Sequence, residues 1–187
     1  MQTDLFDDTT PSFPEGFRYF PEALPRSLQN TLVSDISALP FKNFDFHGFR
    51  GKRRVISFGW KYDFEIERIR KIGEIPPMLL PARALAASLA ELEPTELKQA
   101  LVTEYRPGAP IGWHRDKVAF GVVVGLSLLS SCTLRLRRKV EERWERVSII
   151  AEPGSAYVLS GQARAEWKHS IPPVEQLRYS ITFRQVR

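Results

Sequence analysis

Three side chains of this 187-residue sequence have the types and spacing needed to hold a metal ion. His114 and Asp116 are two residues apart, so both would lie on one face of a β-strand. His169 lies in a separate segment that also has the composition of a strand. Two imidazoles and one carboxylate are the ligand set of non-haem iron(II) sites, and they leave three coordination positions for a chelating cosubstrate and dioxygen.

The His-x-Asp pair is a weak signal by itself. About one chain in ten of this composition would contain such a pair by chance. Asp45–His47 is a reversed near-match, which we interpret as a coincidence. The alternative interpretation is that His114 and His169 cap loops or fill the core, so a second signal is needed.

The C-terminal segment RYSITFR supplies that second signal. In a strand its side chains alternate, and one face would carry Arg178, Ser180, Thr182 and Arg184. Two arginines inside a small barrel are costly unless they are paired, and a dicarboxylate would accept their bidentate hydrogen bonds. The alternative places the arginines on a solvated face and the aromatic residues of the segment in the core.

Hydrophobic periodicity predicts helices followed by strands. Apolar residues at helical spacing and initial prolines indicate a helix at 25–39 and another within 76–93. Residues 41–64 are aromatic, basic and rich in glycine, which favours a hairpin or loop. The barrel core is expected over 99–187, with strands near 100–106, 111–116, 121–129, 132–138, 146–151, 155–160, 166–171 and 177–186. This order indicates an α+β fold whose strands form a jelly roll.

The composition excludes several classes of protein. Hydrophobic residues make up 43%, which is too many for a disordered chain. The single cysteine, Cys132, excludes an internal disulfide or a thiolate zinc site and favours a reducing cytoplasm. Residues 1–14 read as a flexible tail without the features of a signal peptide, and no apolar run could cross a bilayer. The net charge of +5 permits a phosphate-bearing partner without requiring one.

Three stretches of the sequence resemble the AlkB family of oxygenases. They are YRPGAPIGWHRD (Tyr105–Asp116), the segment around His169, and RYSITFRQ (Arg178–Gln185). Their order and spacing, and the helices before them, match the family over about residues 15–187. The resemblance implies one domain over that range, folded as a double-stranded β-helix with an N-terminal lid over the site.

The resemblance also implies a reaction and roles for individual residues. Iron(II), 2-oxoglutarate and dioxygen would be used to oxidise an N-alkyl group of a base, which would leave as an aldehyde while succinate and carbon dioxide form. Arg178 would bind the distal carboxylate of 2-oxoglutarate and Tyr105 would hydrogen-bond the same cosubstrate. Arg184 would lie near its keto-acid end and Asp116. The metal ligands would be His114, Asp116 and His169.

The sequence departs from the family's pattern at three positions. Thr103 and Ser180 stand where some members carry asparagine, which would reduce the hydrogen bonds to the cosubstrate. Val118 stands two residues after the metal aspartate, where founding members have an acidic residue that reads the base's amino group. An apolar residue at this substrate-contacting position puts the identity of the base in doubt and would suit a bulkier lesion, such as an etheno adduct.

Residues 41–64, the expected lid, combine positive charge with aromatic rings. The basic residues are Arg50, Lys52, Arg53 and Arg54, and the aromatic residues include Phe44, Phe46, Phe49, Phe58, Trp60 and Tyr62. Basic side chains can neutralise phosphates, and rings can stack on a base extruded from a nucleic acid. We expect Arg53, Trp60 and Tyr62 to contact substrate. The alternative is that the rings pack against the barrel.

A second basic stretch, LRLRRKVEERWER, has a different pattern. Arg135 and Arg137 would share one strand face, and further basic residues follow around a turn. Three glutamates dilute the charge, so an ordinary solvated hairpin is an equally good interpretation. Trp113 and Cys132 are expected to be packing residues.

These patterns together predict a cytoplasmic, monomeric dealkylase acting on alkylated DNA, with RNA left open. A second hypothesis keeps the chemistry and changes the substrate to a tRNA base or a protein side chain. A third is a non-enzymatic jelly-roll binding module whose histidines and aspartate are structural. Iron binding would separate the third from the first two, and salt-sensitive binding to single-stranded DNA would favour a nucleic acid.

Overall fold

The structure, a computed structural model, describes residues 13–46 and 49–187. His47 and the side chains of Phe46, Phe49 and Arg50 lie outside the described residues, and so do the expectations that fall on them. The expected tail, residues 1–14, also lies outside them except for its last two residues. Within the described residues, none of the helices is long and apolar enough to span a membrane.

Helices and a hairpin precede the barrel strands along the chain. The N-terminal elements are β1 (Phe17–Phe20), α1 (Arg26–Ser37), β2 (Lys42–Phe46), β3 (Phe49–Asp63), β4 (Arg68–Lys71) and α2 (Leu80–Ala90). The remaining elements are β5 (Leu97–Tyr105), β6 (Ile111–His114), β7 (Phe120–Leu128), β8 (Cys132–Val140), β9 (Arg143–Ala151), β10 (Ala156–Leu159), α3 (Gly161–Ala165), β11 (Lys168–Ile171) and β12 (Arg178–Val186).

The strands form two antiparallel sheets that face each other. Over the described residues, the major sheet has the order β1-β10-β7-β12-β5-β3-β2, with β4 paired to β3. The minor sheet has the order β6-β11-β8-β9. Several neighbouring strands, such as β12 with β5 and β11 with β6, are distant in sequence, as in a jelly roll. The predicted α+β jelly-roll fold is therefore confirmed.

The two faces of the major sheet have different environments. One face packs against α1 and α2, and its core includes Leu32, Ala86, Val102, Ile181 and Phe183. The other face lines the barrel interior opposite the minor sheet. Because both faces are covered, the whole of β12 from Arg178 to Arg184 is buried, and burial of its apolar side chains stabilises the sheet. This excludes the alternative in which the arginines of β12 lie on a solvated face.

Most predicted elements are present, with small shifts at their ends. The first helix spans 26–37 and the second 80–90, and residues 42–63 form the β2–β3 hairpin apart from the undescribed positions. The short elements β1, β4 and α3 were not predicted from the sequence. Each has only four or five residues, which is too short for a periodic pattern to stand out.

Candidate active site

The two histidines of the predicted metal site lie opposite each other on neighbouring strands. His114 on β6 is the direct cross-strand partner of His169 on β11. Their ring centroids are 4.2 Å apart. The Nδ1 atom of His114 is 2.8 Å from the carbonyl oxygen of Gly112, so this nitrogen carries the proton and Nε2 is left as the ligand atom. Strand pairing thus brings together two residues that are far apart in sequence.

Asp116 lies beyond the end of its strand, which differs from the prediction. We expected a strand to residue 116, whereas β6 ends at His114. The position of Asp116 depends instead on Arg184, whose Nε donates to Asp116 Oδ1 over 2.7 Å. Arg164 holds the following loop by donating to the carbonyl oxygens of Lys117, Phe120 and Gly121. The role of Arg164 could not be predicted from the sequence, because its three partners are backbone atoms.

The protonation states of the three side chains suit a divalent cation. Burial, together with the nearby His114, lowers the pKa of His169 to about 3. Burial also lowers the pKa of His114. For Asp116, burial alone would raise the pKa, but the positive charge of Arg184 and the two histidines together hold it below its usual value. At neutral pH the site therefore presents two neutral imidazoles and one carboxylate, the forms that bind metal.

The expected cosubstrate residues are cross-strand neighbours on β5 and β12, on the face of the major sheet that lines the barrel interior. Tyr105 lies opposite Arg178, and Thr103 lies opposite Ser180. Arg184 lies opposite Gln99, whose Oε1 accepts from Arg184 Nη1 over 2.9 Å. The prediction missed Gln99, although it follows from the alternation that places Thr103 and Tyr105 on the same face.

Arg178 is a buried cation without a carboxylate partner among the described residues. Only 1% of its surface is exposed. Its Nε and Nη2 atoms donate to Ser127 Oγ over 3.3 and 3.1 Å, and its guanidinium lies 5.1 Å from the ring centroid of Tyr105. Nη1 is buried and has no hydrogen-bond partner. A buried, unsatisfied guanidinium is costly, so its presence indicates an anionic ligand.

Tyr157 fills part of the barrel interior between the arginines and the metal ligands. Gly125, its register partner on β7, has no side chain, and a Cβ atom there would overlap the ring of Tyr157. Burial raises the pKa of Tyr157, and the neighbouring Tyr105 raises it further, so the phenol stays protonated. Tyr157 and Ser127 were not predicted, because their roles depend on which strands become neighbours.

The mouth of the barrel carries aromatic rings and two cations. Arg53 lies with its guanidinium 3.9 Å from the ring centroid of Phe44. Lys117 Nζ lies 4.9 Å from the ring of Tyr62 and 5.2 Å from that of Phe64. We call these five residues the aromatic rim. Burial lowers the pKa of Arg53. Tyr105 and Arg184 also affect this pKa electrostatically, so the guanidinium of Arg53 lies close to the site.

The structure places the other two predicted substrate residues near this rim without assigning them a role. Val118 follows Lys117 and is 81% exposed. Trp60 is half-buried on β3, opposite Lys71 on β4. Their contacts with substrate remain predictions.

Two unsatisfied polar atoms test whether the site fits a metal ion and a dicarboxylate. Asp116 Oδ2 is buried without a hydrogen-bond partner and lies 3.8 Å from His169 Nε2. Arg178 Nη1 is the second such atom. Over residues 13–46 and 49–187, no three donor side chains already converge closely enough to hold an ion, so the three predicted ligands would have to rearrange to coordinate one. The residues fit iron(II) at Asp116 and a dicarboxylate that reaches Arg178.

Comparison with known proteins agrees with this chemistry. The family model described as the 2OG-Fe(II) oxygenase superfamily matches residues 16–184. The chain belongs to this superfamily, and the predicted class of enzyme, with iron(II), 2-oxoglutarate and dioxygen as cofactor and cosubstrates, is confirmed. The alternative of a non-enzymatic binding module does not agree with this match.

Curated relatives support the resemblance to AlkB proteins. The chain is 37% identical over 79 residues to the mitochondrial alpha-ketoglutarate-dependent dioxygenase alkB homolog 7 of Bos taurus, covering 41% of this chain and 35% of the relative. It is 27% identical over 145 residues to the alkylated DNA repair protein ALKBH8 homolog of Arabidopsis thaliana, covering 65% and 42%. An uncharacterized protein, L905, of Acanthamoeba polyphaga mimivirus is 36% identical over 101 residues, covering 47% and 48%. The chain spans about half or less of the length of these relatives.

Solved structures confirm the fold. OsALKBH1 superposes with a TM-score of 0.64 at 16% identity, covering 91% of this chain and 96% of that chain. A Pseudomonas putida prolyl-4-hydroxylase superposes with a TM-score of 0.63 at 16% identity, covering 92% and 93%. Because OsALKBH1 and a prolyl hydroxylase fit equally well, the fold alone does not select a substrate class.

Proposed function

We propose that this oxygenase removes N-alkyl groups from bases in DNA, with RNA as a second possible substrate. The observation that carries the proposal is the aromatic rim: three rings and two cations beside the metal ligands. A single protein side chain does not combine a flat ring that could stack on Tyr62 with neighbouring phosphates for Arg53 and Lys117. An alkylated base in a polynucleotide offers both.

Each part of the site has a separate task in this proposal. His114, Asp116 and His169 would hold iron(II), which supplies oxidation of the alkyl group by dioxygen when 2-oxoglutarate is bound. Arg178 would orient the cosubstrate by a charge-assisted bond to its distal carboxylate. Arg184 fixes Asp116 so that one carboxylate oxygen stays available as a ligand.

The remaining interior residues exclude water and limit the space for the cosubstrate. Tyr157 occupies the barrel interior beside Gly125. Thr103 and Ser180 are smaller than asparagine and leave fewer hydrogen bonds to the cosubstrate, so we expect its affinity to depend mainly on Arg178 and Tyr105.

The test is anaerobic reconstitution with iron(II) and 2-oxoglutarate, followed by oxygen and an oligonucleotide carrying 1-methyladenine or 3-methylcytosine. Repaired base and formaldehyde are expected, and both should be lost in His114→Ala. Ethenoadenine in the same sequence tests whether Val118 favours a bulkier lesion. Turnover of 2-oxoglutarate without repair of any of these oligonucleotides would reject alkylated DNA as the substrate and favour the second hypothesis, a tRNA base or a protein side chain.

Tyr62 offers a more specific test of stacking. Tyr62→Phe keeps the ring and should keep repair close to that of the original protein. Tyr62→Ala should raise KM on the order of tenfold, since stacking on one base contributes about 1–3 kcal/mol. Equal KM values for the two variants would show that this ring does not contact the base.

A further inference from the structure

A row of three cations crosses the outer face of the minor sheet. Lys168 on β11 lies opposite Arg137 on β8, and Arg137 lies opposite Arg146 on β9. His169 and Leu136, one position along, face the barrel interior, so the row faces away from the metal site. Like charges directly opposite each other on neighbouring strands are destabilising. The row is therefore a concentration of positive charge that an anionic partner would stabilise.

Indole rings lie between these cations. The guanidinium of Arg137 is 4.2 Å from the ring of Trp113 and 4.4 Å from that of Trp144. Arg135 lies 5.1 Å from Trp113, and Arg146 lies 5.9 Å from Trp144. The result is an alternating series of arginine and tryptophan along the sheet, which we call the arginine–tryptophan ladder: Arg135, Trp113, Arg137, Trp144 and Arg146.

Carboxylates do not neutralise the ladder. Among residues 13–46 and 49–187, none of the ion pairs involves Arg135, Arg137, Arg146 or Lys168. The glutamates nearest in sequence bind elsewhere: Glu145 and Glu166 both accept from Arg138, which alternates onto the opposite face of β8. Arg137 Nε is buried and has no hydrogen-bond partner in the part of the chain that the structure describes. The indoles shield the cations from each other but leave their net charge in place.

The ladder has the composition of a surface that binds single-stranded nucleic acid. Such surfaces combine a line of cations, which follows the phosphates, with rings on which bases stack. Trp144 is 37% exposed, which leaves indole surface for stacking. An acidic peptide would use the cations and leave the indoles without a role. Trp113 and His114 are adjacent on β6 and lie on opposite faces, so the ladder begins next to the metal site.

We propose that the arginine–tryptophan ladder binds the backbone and bases of single-stranded nucleic acid that flank the base in the active site. The choice of partner rests on the proposed function, whereas binding itself requires neither metal nor lesion. The ladder would hold the polynucleotide while the aromatic rim receives one base. This surface is separate from the lid. It gives a function to the second basic stretch, LRLRRKVEERWER, which the sequence alone left with two interpretations.

The test measures binding of an unmodified fluorescent oligothymidylate by anisotropy, using the full chain in a chelator so that no reaction occurs. For the original protein, log K should fall with log salt concentration by about 0.7 for each phosphate neutralised. The double variant Arg146→Gln/Lys168→Gln should make this slope shallower by about 1.4. Trp144→Ala should weaken binding on the order of tenfold at every salt concentration without changing the slope.

The matched control is Arg26→Gln/Lys98→Gln, which removes the same charge from α1 and β5 and should bind like the original protein. If the ladder variants bind as this control does, the proposal is wrong. If a polyglutamate of equal length competes as well as the oligonucleotide, the partner is an acidic protein and the proposal is also wrong. Repair of a methylated oligonucleotide is measured separately, so loss of repair with retained ladder binding would reject only the proposed function.

Discussion

Replacing Arg178 by methionine should make the cosubstrate-free protein more stable and prevent it from binding 2-oxoglutarate. Arg178 is 1% exposed, and among the described residues its guanidinium has only the hydroxyl of Ser127 as a hydrogen-bond partner and keeps one nitrogen unsatisfied. Methionine has a similar volume and carries no charge. Ser127 retains the carbonyl oxygen of Ala151 as an acceptor at 3.4 Å, so the substitution leaves its hydroxyl paired.

The size of the effect follows from the cost of burying an ionic group. Replacing buried ionic groups with apolar residues of similar volume stabilises proteins by about 1–4 kcal/mol. In a chain of this size each kcal/mol raises Tm by about 2–4 °C. Adding 2-oxoglutarate at 100 times its Kd should stabilise the original protein by about 2.7 kcal/mol and leave Arg178→Met unchanged.

Arg164→Met is the matched control, because Arg164 is also a buried arginine. Its guanidinium donates to three backbone carbonyl oxygens, so methionine would leave acceptors without donors. This variant should be destabilised by about 1–3 kcal/mol. The two substitutions are chemically identical and should change stability in opposite directions.

Thermal unfolding with and without 2-oxoglutarate, in the presence of a redox-inert divalent cation, measures both effects. Calorimetric titration with 2-oxoglutarate measures binding directly. A lower Tm for Arg178→Met without cosubstrate would show that the cation is already compensated in the folded protein. Retained binding of 2-oxoglutarate would show that Arg178 does not hold its distal carboxylate. Either result would refute the reasoning.

Three further predictions concern other parts of the molecule. The hydrogen bonds from Arg54 lower the pKa of Glu104. The stabilisation by this pair, about 1.5–3 kcal/mol, is therefore complete above the ordinary pKa of a glutamate and is lost as the pH falls through the lowered pKa. The unfolding free energies of Glu104→Gln and the original protein should converge in acid. Gly125→Ala should destabilise the protein by about 1–3 kcal/mol in urea, because the new methyl group overlaps Tyr157, and an unchanged urea midpoint would contradict the overlap. Lys117→Gln should raise the Kd for single-stranded DNA while kcat stays the same, and a fall in kcat alone would place Lys117 in catalysis instead.

The C-terminal strand shows how much the local pattern determined. Alternation in RYSITFR placed Arg178 and Arg184 on one face and the apolar side chains on the other, and the structure has this arrangement. The sequence left open whether the arginine face was solvated. That depended on the minor sheet covering it, which is a contact between strands distant in sequence.

One part of the reasoning behind the candidate metal site was wrong. His114 and His169 were identified from residue type and spacing, and their direct pairing required β6 and β11 to become neighbours. Asp116 was expected on the same strand as His114, but it lies in a loop that Arg184 and Arg164 position. A periodic pattern describes strands, and it does not describe a loop held by hydrogen bonds from distant residues.

The sequence by itself determined the class of fold and the approximate ends of most helices and strands, and it nominated the residues proposed to bind metal and cosubstrate. These properties depend on residue type and on periods of two or about 3.6 residues, which are local. Only the tertiary structure decided that Arg178 lacks a carboxylate partner among the described residues, that Tyr157 fills the space beside Gly125, and that Trp144 and Arg137 stack in one ladder. These properties depend on strand order and register, because a side chain acquires its partners only when distant strands pair.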